Sequence, residues 1–159
     1  MDVHRTLNNP ALHVVLYQPE IPANTGNIAR LCGAAELTLH LIHPLGFQVD
    51  DRHLRRAGLD YWPEVDVRHH LSFQEYLEAK GGVGRILAFS RHAEPLYTEA
   101  LMEHGDHLLF GPETRGLPVE ITRTYPCYRI PIWGRVRSLN LSTSVGIVTY
   151  NGLHAMGRF

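Results

Sequence analysis

Lysine is nearly missing from this chain. Lys80 is the only one among 159 residues, and the remaining strong cations are all arginine. Arginine suits bidentate contacts to phosphate, although a uniform arginine bias can also be a matter of base composition. Cysteine is scarce too. Cys32 and Cys127 are far apart and fit no metal or redox spacing, so both are expected as reduced thiols. No apolar run approaches the ~20 residues of a membrane helix. The opening stretch MDVHRTLNNP lacks the apolar core of a secretion signal. A cytoplasmic protein with no membrane partner is the expectation. The eleven histidines show neither HxH nor HExxH, so no metal is expected. There is no GxGxxG after the first apolar run, no P-loop and no GxSxG, which removes support for dinucleotide, nucleoside triphosphate and hydrolase sites. The net charge of −1 gives no global attraction to nucleic acid. Repeats, low-complexity tracts and linkers are absent, and one domain over residues 1–159 is expected.

What is present is alternation. Apolar or β-branched runs at Leu12–Tyr17, Leu37–His43, Arg85–Ser90, His107–Gly111 and Cys127–Ile132 read as strands, with a further one in EVDVRHH. Helical spacing predicts a helix over Thr25–Ala35 with Asn24 or Thr25 at its cap, and a short one in DDRHLRRAG. Others are expected from Ser72 to the glycines at 81 and 82, in LPVEITRTY, and over Leu141–Met156. Strands alternating with helices imply an α/β fold with a parallel sheet covered on both faces. Ligands bind such sheets beyond the carboxyl ends of the strands. The loops after Phe89, Phe110 and Ile130 therefore belong at one edge.

Four segments could carry chemistry there. In LLFGPETRGLP, Gly111 lets a flat ligand approach the main chain, Pro112 ends the strand, and Glu113 and Arg115 bring charge to the mouth. A plain turn has the same composition. In IPIWGRVRSLNLSTS, Ser138 and Asn140 precede the last helix, where they can cap it or its N–H groups can meet a ligand. In NTGNIAR, Asn24 opens a helix and Arg30 follows nearly two turns on. In RHLRRAG, Arg52, Arg55 and Arg56 share one helix face, which suits a phosphate backbone or simply solvent.

Taken in order, NTGNIARLC, FGPETRGLP and RIPI…RSLNLS resemble the three motifs of the SPOUT superfamily of RNA methyltransferases, over nearly the whole chain. LIHPLGF and DDRHLRRAGLDYW further resemble the subgroup that methylates the ribose 2′-oxygen of the tRNA wobble nucleotide. The resemblance implies a parallel-sheet α/β knot, in which the C-terminal segment threads a loop as a trefoil. It implies S-adenosyl-L-methionine held by Phe89, Gly111, Ile130 and Ser138, a homodimer, and tRNA as substrate. It also implies polar roles for Asn24, Arg30, Glu113, Ser138 and Asn140, with Tyr150 in a site shared across the dimer. RNA would be gripped by Arg52, Arg55 and Arg56. Two alternatives stay open on the same resemblance: a ribosomal RNA ribose methyltransferase, and a non-catalytic RNA-binding module. The region from Ile132 to Ser138 departs from the family pattern, with Trp133, Arg135 and Arg137 in the loop.

Overall fold

The structure is a computed structural model that describes residues 4–49, 56 and 59–159. The strands are β1 (Leu12–Tyr17), β2 (Thr38–Ile42), β3 (Val67–His70), β4 (Ile86–Phe89), β5 (Asp106–Phe110) and β6 (Cys127–Tyr128). The helices are α1 (Pro22–Ala35), α2 (Phe73–Lys80), α3 (Val119–Thr124) and α4 (Leu141–Ala155), with 3₁₀ turns at Leu59–Glu64 and Tyr97–Glu99. All six strands are parallel, in the order β3-β2-β1-β5-β4-β6. Every residue of β2, β4 and β5 is buried. That is why apolar residues stand next to one another in these strands rather than alternating with exposed ones, with Thr38, His40, Asp106 and His107 buried among them.

Side-chain parity sorts the core into two layers. Leu12, Val14 and Leu16 of β1 face Ile28 and Cys32 of α1 and Val145 and Val148 of α4. Val15 faces the other way and joins Tyr76 of α2 and Ile121 of α3. The chain runs outward from β1 through β2 to β3, then returns to the opposite flank with β5, β4 and β6. The order therefore switches direction between β1 and β5, the position where an open α/β sheet leaves a crevice.

Most elements fall where the sequence places them. Ser72 caps α2 by accepting from the Glu75 amide at 3.1 Å. Two expectations need correction. Helix α1 starts at Pro22 and not Thr25. Proline is favoured in the first turn because its missing N–H would lack a partner there anyway. Asn24 is thus inside the helix, and its cap position is Ile21, which has no side-chain oxygen. The strand expected over Cys127–Ile132 shrinks to two residues, continued only by a bridge between Leu96 and Arg129. Pro131 has no amide to extend the ladder. The expected helix in DDRHLRRAG lies outside the described residues except for Arg56, which is helical and exposed.

Candidate functional site

The crevice is a real cavity. Its volume is about 500 Å³, and it opens at the carboxyl ends of β1, β4, β5 and β6. Phe89, Gly111, Ile130 and Ser138 all line it, as do Asn24, Glu113 and Asn140. The three loops expected at one edge are thus together. One wall is aromatic: Phe89 stacks on Phe110 with centroids 5.0 Å apart and planes 15° off parallel, and Tyr128 follows at 6.1 Å. The lining also carries three cations, Arg91, Arg115 and Arg137. The size falls in the usual range for a small-molecule site.

The polar centre is built from residues distant in sequence. Glu113, in the loop after β5, accepts from the amides of Glu20 at 2.8 Å and Ile21 at 2.7 Å. It also accepts from Asn24 Nδ2 at 3.2 Å. Of these, the Ile21 amide stands at the cap position of α1 and has no partner within the helix. Glu113 therefore supplies the cap that Ile21 cannot, and places a carboxylate at the positive end of the helix. The clasp is reciprocal. Glu20 accepts from the Thr114 amide at 2.9 Å and its hydroxyl at 2.7 Å, and those bonds hold its carboxyl below the ordinary range.

Asn24 continues the chain of contacts. Its Oδ1 accepts from Asn140 Nδ2 at 3.0 Å. The Asn140 Oδ1 in turn accepts from the amides of Ser142 at 2.9 Å and Thr143 at 3.3 Å, capping α4. Glu113, Asn24 and Asn140 thus join the amino ends of α1 and α4 at the cavity wall. Both helices direct their positive ends there, which favours a ligand with carboxylate or other electron-rich groups.

Gly111 has a different reason than a flat ligand. A Cβ there would lie 2.5 Å from the Gly116 carbonyl carbon and against the Leu117 amide nitrogen. The loop folds back on itself, closed by the Gly116 amide donating to Pro112 O at 2.9 Å, and Gly116 takes φ +69°. Substitution at 111 would spread the loop that forms the cavity floor.

Two expected residues are not in the cavity wall. Arg30 is on the exposed face of α1 with Asn27 and Ala34. The Glu113 and Asn24 side chains bond each other, and Glu113 also bonds the start of α1. Tyr150 is 43 % exposed on α4, its ring 6.2 Å from that of Phe159. Arg52 and Arg55 lie outside the described residues. Conversely, the lining cations Arg91 and Arg137 and the wall residue Tyr128 were not singled out as site residues. Their signal was positional: Tyr128 ends β6, Arg91 stands just past β4, and Arg137 lies in the loop that leads from β6 to α4. Trp133 does not pack into the protomer; it is 91 % exposed. Among the described residues no helix is long and apolar enough to cross a membrane.

Comparison with known proteins gives one answer. Residues 11–150 match the model of the SpoU rRNA Methylase family. The tRNA (cytidine(34)-2'-O)-methyltransferase of Escherichia coli K12 is 44% identical over 149 residues, covering 92% of this chain and 94% of that protein. A solved structure described as giving structural insights into the 2-OH methylation of C/U34 on tRNA is 51% identical, with TM-score 0.89, over 93% of this chain and 97% of that one. The SpoU methyltransferase AviRb of Streptomyces viridochromogenes, solved in complex with the cofactor AdoMet, shares the fold at TM-score 0.79 and 22% identity, over 93% of this chain and 61% of its own. With a family match across the sheet, both helix layers and the cavity loops, this chain belongs to the SpoU methylase family.

Proposed function

We propose that the protein transfers a methyl group from S-adenosyl-L-methionine to the ribose 2′-hydroxyl of the wobble nucleotide, position 34, of tRNA. The observation that carries this reading is the cavity: its aromatic wall, its two converging helix ends and its lining cations lie within a chain whose close relatives bear that activity. The residues present fit the donor. Phe89 and Ile130 offer apolar surface for an adenine, while the main chain at Gly111 and the hydroxyl of Ser138 offer polar contacts. When bound, the donor supplies a sulfonium methyl that is already strongly electrophilic.

The chain's own task is the nucleophile. A ribose hydroxyl is weakly nucleophilic at neutral pH, so it must be aligned and its developing negative charge stabilised. Alignment alone is worth several kcal/mol. Arg30 is assigned the stabilising role. Guanidinium does not release its proton readily, so Arg30 acts as a hydrogen-bonding cation on the ribose or its phosphate and not as a base. Glu113, Asn24 and Asn140 act as a frame that fixes the ends of α1 and α4.

The exposed position of Arg30 and Tyr150 supports a homodimer, in which a second copy brings these groups to the cavity of the first. Tyr150, Phe159 and Leu101 are exposed apolar surface consistent with such a contact. Arg52, Arg55 and Arg56 are assigned to the tRNA backbone. A trefoil knot in the C-terminal segment and a cytoplasmic location complete the reading. The deciding experiment is incubation with labelled donor and unmodified or native tRNA, followed by mapping of the product. Label at the 2′-oxygen of nucleotide 34 is expected. Label confined to ribosomal RNA would replace tRNA as the substrate, and donor binding without transfer to any RNA would make the protein a binding module.

A further inference from the structure

On the sheet face covered by α2, four histidines form a diagonal row: His107 of β5, His13 of β1, His40 of β2 and His70 of β3. The register explains it. His13 stands directly opposite His107, and each further step moves one strand over and two residues along. His13 Nδ1 and His40 Nε2 are 2.9 Å apart, and His40 Nδ1 and His70 Nε2 are 2.9 Å apart. The His13 and His107 rings stack at 4.0 Å. One nitrogen from each of His13, His40 and His107 lies within 4.8 Å of the other two. No methyl-transfer role is assigned to any of these residues.

We infer that His13, His40 and His107 form a binding site for one imidazole-seeking transition ion, zinc foremost, on the sheet face opposite α1 and α4. The donor set is all nitrogen, which suits zinc, copper or nickel and not magnesium, calcium or manganese. The outer contacts are those a ligating histidine needs. The Tyr76 hydroxyl, 2.7 Å from His107 Nδ1, leaves Nε2 for coordination, and His70 holds His40 Nδ1. His40 and His107 are buried, while His13 is partly exposed and gives the ion a way in from solvent. Burial, then nearby Arg68, lowers His13 to about 4, and burial lowers His107 to about 2. These rings are therefore neutral at physiological pH, and an ion displaces no proton charge from them. Zinc–nitrogen bonds of about 2.0–2.1 Å set neighbouring ligand atoms roughly 3.4 Å apart. Binding thus opens the His13–His40 contact by about half an ångström and tilts the His13–His107 stack. Sequence spacing gave no hint of this, because the ligands come from three strands and only the register brings them together.

The test uses tag-free, chelator-stripped protein. Zinc is titrated by calorimetry, metal content is measured after gel filtration, and cobalt is added as a spectroscopic probe. One zinc per chain is expected, with a zinc-dependent rise in Tm and the visible bands of tetrahedral cobalt. His13→Asn and His107→Asn should each weaken binding at least tenfold, whereas His154→Gln, on the exposed end of α4, should bind as wild type. His13 is partly exposed, so its variant remains informative if the His107 variant does not fold. Absence of stoichiometric zinc in the wild type, or wild-type affinity in His13→Asn, overturns the site and leaves the row as a hydrogen-bonded ladder.

Discussion

The cavity rim and the histidine row are both polar clusters spread across several strands, yet they obey opposite rules. The rim stands in loops beyond the strand ends. Its groups cap helix ends or clasp one another at the mouth of a cavity, where they can serve a ligand. The row stands within the strands, under α2. Its members bond mainly to one another, and burial forces them neutral. The same residue types would behave differently if exchanged between the two places. Loops beyond the sheet accommodate charge at little expense to folding, whereas polar groups inside it must be satisfied completely.

The largest expected effect tests the cation that a second copy is proposed to bring to the cavity. Arg30→Ala should lower kcat by about 10²–10³-fold, the usual loss when one group stabilising a developing oxyanion is removed. Donor affinity and Tm should stay near wild type. Full turnover in that variant would remove Arg30 from the chemistry. The second expectation concerns the row. Its folded-state pKa values are depressed, so the unfolded chain binds more protons as pH falls below about 6.5. Stability is therefore present above that value and declines towards about 4, where His13 titrates in the folded protein. Thermal melts with chelator across pH 4–8 should show this decline, each lost kcal/mol appearing as roughly 2–4 °C. A flat profile over pH 4.5–6.5 would contradict the neutral row.

Third comes Glu113→Gln. Its amide nitrogen would face donors that the carboxylate now accepts from, for a loss of about 1–3 kcal/mol. If the rim is a frame for the donor, binding of S-adenosyl-L-methionine should weaken along with stability. The smallest effect is at Tyr76→Phe, which removes the hydroxyl beside His107. A loss of about 1 kcal/mol is expected, with methyl transfer per folded molecule unchanged. Together the last two sharpen the contrast: one variant disturbs ligand and fold, the other the fold alone.

The two clusters also differed in how much the sequence revealed. The rim was largely legible. Glycine, proline and charge immediately after apolar runs mark loops at strand ends, and parallel topology puts those ends on one edge. The partnership of Glu113 with α1 was not legible, since it joins loops 92 residues apart. Nor was the start of α1: Asn24 looks like a cap from local chemistry, and only the fold shows that Pro22 begins the helix and that a remote carboxylate finishes it. The row was invisible for a related reason. His13, His40, His70 and His107 look scattered along the chain and become neighbours only through strand register.

Helix α1 emerges from the ribosome without the group that completes its amino end. Glu113 follows 92 residues after Ile21, about 5–20 s of synthesis at ordinary elongation rates. Throughout that interval the half-made polypeptide has no finished crevice, so a prematurely terminated product lacking β5 would be unable to sequester the methyl donor.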